Sequence, residues 1–139
     1  MADRHVSPRA IARSQCPVAC TLDLVGDRWS LLIVRDLLAG KHRYGEFLAS
    51  AEGIPTNILA ERLRRFEGQG LIERVPYSSR PPRYEYQLTD AGRELGPALL
   101  ELARWGLRHV PGTRPPAWLD DLIGAQPVVE EHGRHGPQE

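Results

Sequence analysis

Apolar residues recur at three- and four-residue spacing through the first half of the chain and at every second position in one later stretch, so helices should precede a β-hairpin. Leu22, Val25, Trp29, Leu32, Ile33 and Leu37 fall at helical spacing. They predict two core-forming helices, "VACTLDLV" and "RWSLLIVRDLLAG", divided at Gly26-Asp27. Asp27 suits an N-cap and Gly40 a stop. "KHRY" (41–44) reads as a short strand and "GEFLAS" as a helix of barely two turns. A turn at Glu52-Gly53-Ile54 leads into "GIPTNILAERLRRFEGQGLI", residues 53–72. There Pro55 suits a first helical position, Ile58, Leu59, Leu63 and Phe66 form the buried stripe, and Gly68 and Gly70 end the helix.

The period then changes. "LIERVPY" (71–77) and "RYEYQLT" (83–89) alternate, with Tyr84, Tyr86 and Leu88 on one face, and "SSRPP" between them supplies a basic, Pro-bearing tip. A short helix, a glycine turn, a second helix with a polar front end and a hairpin together predict a mainly α fold with a small β-hairpin. That order is a winged helix-turn-helix, in which the second helix enters the DNA major groove and the wing reaches the flanking backbone or minor groove.

After Thr89-Asp90 a further helix is expected to run to about Val110, with Pro97 marking a kink. Ala98, Leu102, Trp105, Leu95 and Leu99 fill one face of it, and Ala103, Leu107 and Leu100 continue the apolar arc to roughly 220° at about 100° per residue. So wide an arc calls for two neighbours: the chain's own core, and a second copy meeting Leu99, Leu100, Ala103 and Leu107 in a C2 homodimer. Burial beneath the first helices of the same chain is the alternative. The expected layout is a flexible arm over 1–15, the winged-helix domain with its dimerisation helix over 16–110, and a partly disordered tail over 111–139. Within that tail "AWLDDLIGA" suits a small helix.

The formal net charge is zero over 139 residues. Residues 28–83, however, carry ten Lys and Arg against six Asp and Glu, so the segment holding the helix-turn-helix is the basic one. The start, "MADRHVSPRAIARSQ", lacks the apolar run of a signal peptide, and no stretch is long enough to span a membrane. Two cysteines, Cys16 and Cys20, are too few for a disulfide framework, so a cytoplasmic protein with reduced thiols is expected. Glycine-rich phosphate loops, nucleophile motifs and metal-ligand patterns are missing. An enzyme is not expected, nor a cofactor or metal. "HGRH" at 132–135 is the nearest approach to ligand spacing.

With the stripe turned inward, Thr56, Asn57, Ala60, Glu61 and Arg64 occupy the exposed side of the second helix. Free N–H groups at its front end favour a phosphate, and Asn57 can pair with adenine; the alternative for Asn57 is a local backbone cap. Arg64 suits phosphate or guanine, whereas Arg62 and Arg65 read as solvated or paired with Glu61. Arg80 and Arg83 flank Pro81-Pro82, for which a solvated tip is the bland reading. Lys41, His42 and Arg43 suit backbone phosphate, which positions a protein without reading sequence. Cys16 lies at the start of the first helix, three residues after Arg13, where the helix dipole favours a thiolate; a small buried hydrophobe is the alternative.

In order and spacing, "CPV", "TLDLVGDRW", "LLIVRDLLAGKHRYGEFL", "GIPTNILAERLRRFEGQGLIERVPY", "PPRYEYQLTDAGREL" and "LARWG" resemble the HxlR-type transcriptional regulators over about residues 16 to 106. The resemblance implies a homodimeric winged-helix protein that binds double-stranded DNA, often at a neighbouring operon. Some relatives respond to electrophiles or oxidants through a cysteine near the start of the domain, and Cys16 occupies that place. Pro55 stands where many relatives have a serine N-cap, and Phe66 where leucine is usual. Two other readings stay open: a winged-helix module that binds protein, and a regulator controlled by a small-molecule effector.

Overall fold

The computed structural model describes residues 13–119. Helices α1 (Pro17–Val25), α2 (Ser30–Leu38), α3 (Tyr44–Leu48) and α4 (Thr56–Gly68) precede the antiparallel strands β1 (Ile72–Ser79) and β2 (Pro82–Leu88). Helices α5 (Asp90–Arg93) and α6 (Gly96–His109) follow. The winged helix-turn-helix expected from the sequence is the observed fold.

The core forms where one face of each element converges: Val34 of α2, Phe47 of α3, Leu59, Leu63 and Phe66 of α4, and Ile72 at the root of the hairpin. Ile58, expected inside with these, is only half-buried at the shoulder of the helix. α2 and α4 both end beside a glycine with positive φ, Gly40 at 92° and Gly70 at 78°, a conformation in which a Cβ would be strained.

Several boundaries differ from expectation for local reasons. Pro55 is the N-cap of α4, not its first helical residue, because its ψ of 141° is still extended. Asp27 lies ahead of the N-cap Trp29, where its carboxylate accepts the Trp29 N–H (3.2 Å) and the Ser30 hydroxyl. "KHRY" forms no strand: the sheet has two strands, and Tyr86 donates a single backbone bond to the His42 carbonyl (2.7 Å). The wing turn is tighter than expected, with only Arg80 and Pro81 between the strands, so Arg83 stands in β2. Burial along Leu88, Tyr86 and Tyr84 falls from buried to exposed, because only the hairpin root lies over the core. Tyr86 meets Phe47 edge-on with ring centroids 6.2 Å apart.

The long helix expected after Thr89 is divided at Glu94 and Leu95, and α6 restarts with Pro in its first turn, where a missing N–H is tolerated. Thr89 fixes the break to the wing: its hydroxyl donates to the Gly70 carbonyl (2.6 Å) and accepts the Gly92 N–H (3.2 Å), and its own N–H donates to the Leu71 carbonyl (3.1 Å). Gly92 therefore lies so close to the hairpin root that a Cβ there would sit 2.2 Å from the Leu71 carbonyl oxygen.

The apolar arc of α6 is split between two sides. Leu99 and Leu100 are 7% and 5% exposed inside the chain's own core, with Ala103 and Leu107 packed against it. Leu99 and Leu100 are thus claimed by the chain's own core, while Ala103 and Leu107 lie half-buried at its edge. Leu102 and Trp105, 54% and 57% exposed, share the opposite side with Ala98. α1 likewise contributes only Val25 to the fully buried core and leaves Leu22, expected inside, exposed together with Val18. The chain does not leave the body at 110: Trp118 is half-buried and Leu119 joins the core. Residues 1–12, most of "AWLDDLIGA" and the whole of "HGRH" lie outside the described residues.

Candidate nucleic-acid interface

Helix α4 begins without a side-chain cap, so the first backbone N–H groups after Pro55 are left without intrahelical partners at an exposed end. Such an end attracts anions through those donors and the helix dipole. Thr56 and Asn57 are both exposed there. The Asn57 side chain makes no hydrogen bond among the described residues, so it does not act as the local cap that was its alternative reading. Tyr44, the first residue of α3, holds the same end: its hydroxyl donates to the Thr56 carbonyl at 2.8 Å. The two helices of the motif are thus tied together at the point where the second would meet a groove.

The arginines of α4 divide sharply. Arg64 is exposed and has no partner among the described residues. Arg62 and Arg65 turn back to Asp27 instead. Arg62 Nε donates to Oδ2 at 2.9 Å and its Nη1 meets Glu61, while Arg65 Nη2 reaches Oδ1, the Ser30 hydroxyl and the Leu24 carbonyl, each at 3.2 Å. Partial burial alone would raise the Asp27 pKa. The hydrogen bonds from Ser30, Arg62 and the Trp29 N–H, with the Arg62 charge, outweigh it and hold the carboxyl far below the usual range.

Other expected contacts are placed less freely. Lys41 is drawn inward, Nζ donating to the Ser50 hydroxyl (2.7 Å), which in turn donates to the buried Asp36 carboxylate (2.5 Å). Arg43 lies on the flank of the wing, its Nε 3.3 Å from Glu85 and its guanidinium 4.4 Å from the Tyr77 ring centroid. Ala60 is half-buried. Arg80 and Arg83 are exposed at the far end of the hairpin and, like Arg64, unpaired among the described residues.

Sequence reasoning missed the Asp27 pairing, the Tyr44 bond and the stacking of Arg74 on Tyr84 at 4.3 Å. The first had a usable signal, since Arg62 and Arg65 are three apart and share one helix face. The other two depend on tertiary placement.

Cys16 is exposed at the N-cap of α1, its N–H donating to the Ser14 hydroxyl (3.0 Å). Cys20 is half-buried and its thiol donates to the Ser14 carbonyl (3.1 Å). Arg13 is engaged by Asp23 at 2.8 Å.

An uncapped, exposed helix front beside a hairpin tipped with free arginines defines a protein of the winged helix-turn-helix class. The sequence matches the HxlR-like helix-turn-helix family over residues 24–113, and the chain belongs to that family. An uncharacterised HTH-type transcriptional regulator of Mycobacterium tuberculosis is 48% identical over 99 residues, 71% of this chain and 62% of the relative. The chain thus spans less than two thirds of that relative's length. Among solved structures, the redox regulator HypR in its oxidised form is 35% identical, with 73% of this chain and 100% of that chain covered and a TM-score of 0.62. The reduced form of the transcriptional regulator YodB from B. subtilis is 28% identical, with 73% and 100% covered and a TM-score of 0.59. Among the described residues no helix is long and apolar enough to cross a membrane.

Proposed function

We propose that the protein is a transcriptional regulator that binds double-stranded DNA as a homodimer at an inverted repeat. The observation that carries this reading is the coincidence, around α4 and the wing, of exposed donors and cations that no described residue neutralises: Thr56, Asn57, Arg64, Arg80 and Arg83. Asn57 reads base edges in the major groove, Arg64 contacts phosphate or guanine, and Arg80 and Arg83 hold the flanking backbone. The dimer forms through the outer apolar sides of α6 and α1, carrying Leu102, Trp105, Val18 and Leu22. Two recognition helices related by a dyad then meet half-sites about 34 Å apart, or a multiple of that spacing. Selection of bound duplexes from a random pool tests this: an inverted repeat supports it, and retention without sequence preference refutes it.

Control is assigned to Cys16. Its exposure at the start of an apolar, outward-facing helix supports the assignment, as does similarity to a protein described as a redox regulator. Modification there shifts the population between two spacings of the recognition helices, provided DNA binds one more tightly. DNA affinity measured with and without a quinone or peroxide should change for the wild type and not for Cys16→Ser. An equal response in both removes Cys16 from the mechanism and leaves a bound effector as the controlling input.

A further inference from the structure

The Asp27 carboxylate lies in the turn between α1 and α2, yet both of its oxygens are taken by arginines from successive turns of α4. These pairs join residues 35 and 38 positions apart in the chain, so they fix tertiary placement and add nothing to local helix stability. Arg65 bridges three separate elements: the last turn of α1 through the Leu24 carbonyl, the turn through Asp27, and the start of α2 through Ser30. Ser30 is itself fully buried and donates to the same carboxylate. Arg65 Nε is buried without a partner among the described residues, so the guanidinium is held in this position at the cost of one unsatisfied donor. Arg64, between the two, points the other way and is exposed.

We infer that Asp27 is a positioning residue for DNA reading, setting the rotation and tilt of α4 against α1 and α2 and withholding two cations from the nucleic acid; this rests on the DNA-binding reading above. The helix is gripped at both ends of its working face, at the front by Tyr44 and further along by this carboxylate. Two consequences follow if the grip is released. The side chains at the front of α4 lose their fixed register on base edges, which lowers discrimination between sequences. Arg62 and Arg65 become free to meet phosphate, which supports binding to any sequence and steepens its dependence on salt.

The test uses the full-length protein, a duplex selected by the wild type from a random pool, and an unselected duplex of equal length, each titrated over a range of salt. Asp27→Asn keeps the size of the side chain and removes its charge. The expected result is a preference for the selected duplex at least about tenfold weaker, with undiminished affinity for the unselected one and a salt slope steeper by about one to two per protomer. Asp27→Glu, which restores the carboxylate, should recover part of the lost preference. Should Asp27→Asn fail to fold, Arg65→Lys replaces it. That variant keeps the charge and leaves Asp27 its bonds to Arg62, Ser30 and Trp29, but lacks the fork that reaches three acceptors, and a comparable loss of preference is expected. A variant that discriminates as well as the wild type overturns the inference. So does a proportional loss on both duplexes with an unchanged slope, which is the mark of a merely structural role. A wild type that selects no sequence overturns the DNA-binding reading and the role of Asp27 with it.

Discussion

The split arc of α6 makes a prediction about assembly that turns on which of its two sides a second copy would meet. Leu100→Glu would place a carboxylate at a site 5% exposed in the chain's own core, costing several kcal/mol without a partner and unfolding the protomer whether or not it dimerises. Leu102→Glu and Trp105→Glu instead act on side chains that are 54% and 57% exposed, so the isolated protomer should tolerate them. At about 25 cal/mol per Å², covering the remaining surface of such residues stabilises an interface by about 1–3 kcal/mol each, counted twice across a C2 axis. Replacing that gain with unpaired carboxylates should shift dimerisation by several kcal/mol, or more than a thousandfold in the dissociation constant. Sedimentation velocity at micromolar concentration should show a wild-type dimer and a Leu102→Glu, Trp105→Glu monomer. Thermal unfolding of that monomer should remain cooperative, whereas Leu100→Glu should lose its transition. A wild-type monomer, or a double variant that stays dimeric, refutes the assignment of the outer side of α6.

Gly92→Ala forces a methyl group against the Leu71 carbonyl and the Leu88 side chain, and should destabilise by about 1–3 kcal/mol in urea melts despite the ~1 kcal/mol that alanine contributes in a helix. Asn57→Ala should relax sequence preference in a selection experiment, while Arg83→Ala should weaken all duplexes alike and flatten the salt dependence by about one unit per protomer. The carboxyls of Asp27 and Glu52 both have lowered pKa values, Asp27 through the hydrogen bonds and charge that outweigh its burial and Glu52 chiefly through the Arg35 bond. Depressed folded-state values give stability that is complete above the unfolded carboxylate range, about pH 4, and lost as the pH falls below it. Urea melts between pH 7 and pH 3 should show that decline, with a shallower acid limb for Asp27→Asn.

The order of elements was legible because periodicity and turn residues act locally. The stripe of Leu59, Leu63 and Phe66, the switch to alternation at Leu71 and the stop at Gly70 each reflect a few neighbouring residues. What was not legible depended on which of two competing surfaces claims a side chain. Leu22 and Leu99 have the same chemistry, yet one faces out and the other in, because α1 touches the core only near its end while α6 lies across it. Nor does the sequence reveal that Ser50 and Asp36 stand within reach of the Lys41 ammonium. Arg62 and Arg65 were set apart from Arg64 by their helix face, but their pairing with Asp27 was hidden for the same reason. A helix presents its sides in order, but the neighbours decide which side meets water.

That sorting of cations carries a quantitative consequence for DNA binding. Within the basic segment, Arg35 pairs with Asp36 and Glu52, Arg43 with Glu85, Arg62 and Arg65 with Asp27, Arg74 with Glu67, and Lys41 lies 3.9 Å from Asp36. A guanidinium already paired with a carboxylate releases no counterion when DNA arrives unless that pair first breaks. Arg64, Arg80 and Arg83 need break nothing, so a dimer should neutralise about six phosphates and lose affinity with a log–log salt slope near −5. If every Lys and Arg of α4, the wing and the segment before α3 reached DNA, the slope would be about −14 on the same relation. Filter binding or fluorescence anisotropy between 50 and about 300 mM salt separates the two cases, the range over which such slopes become plain. A slope steeper than about −10 would mean that the internal ion pairs open on binding, and the carboxylates of this chain would then compete with DNA for its arginines instead of dividing them in advance.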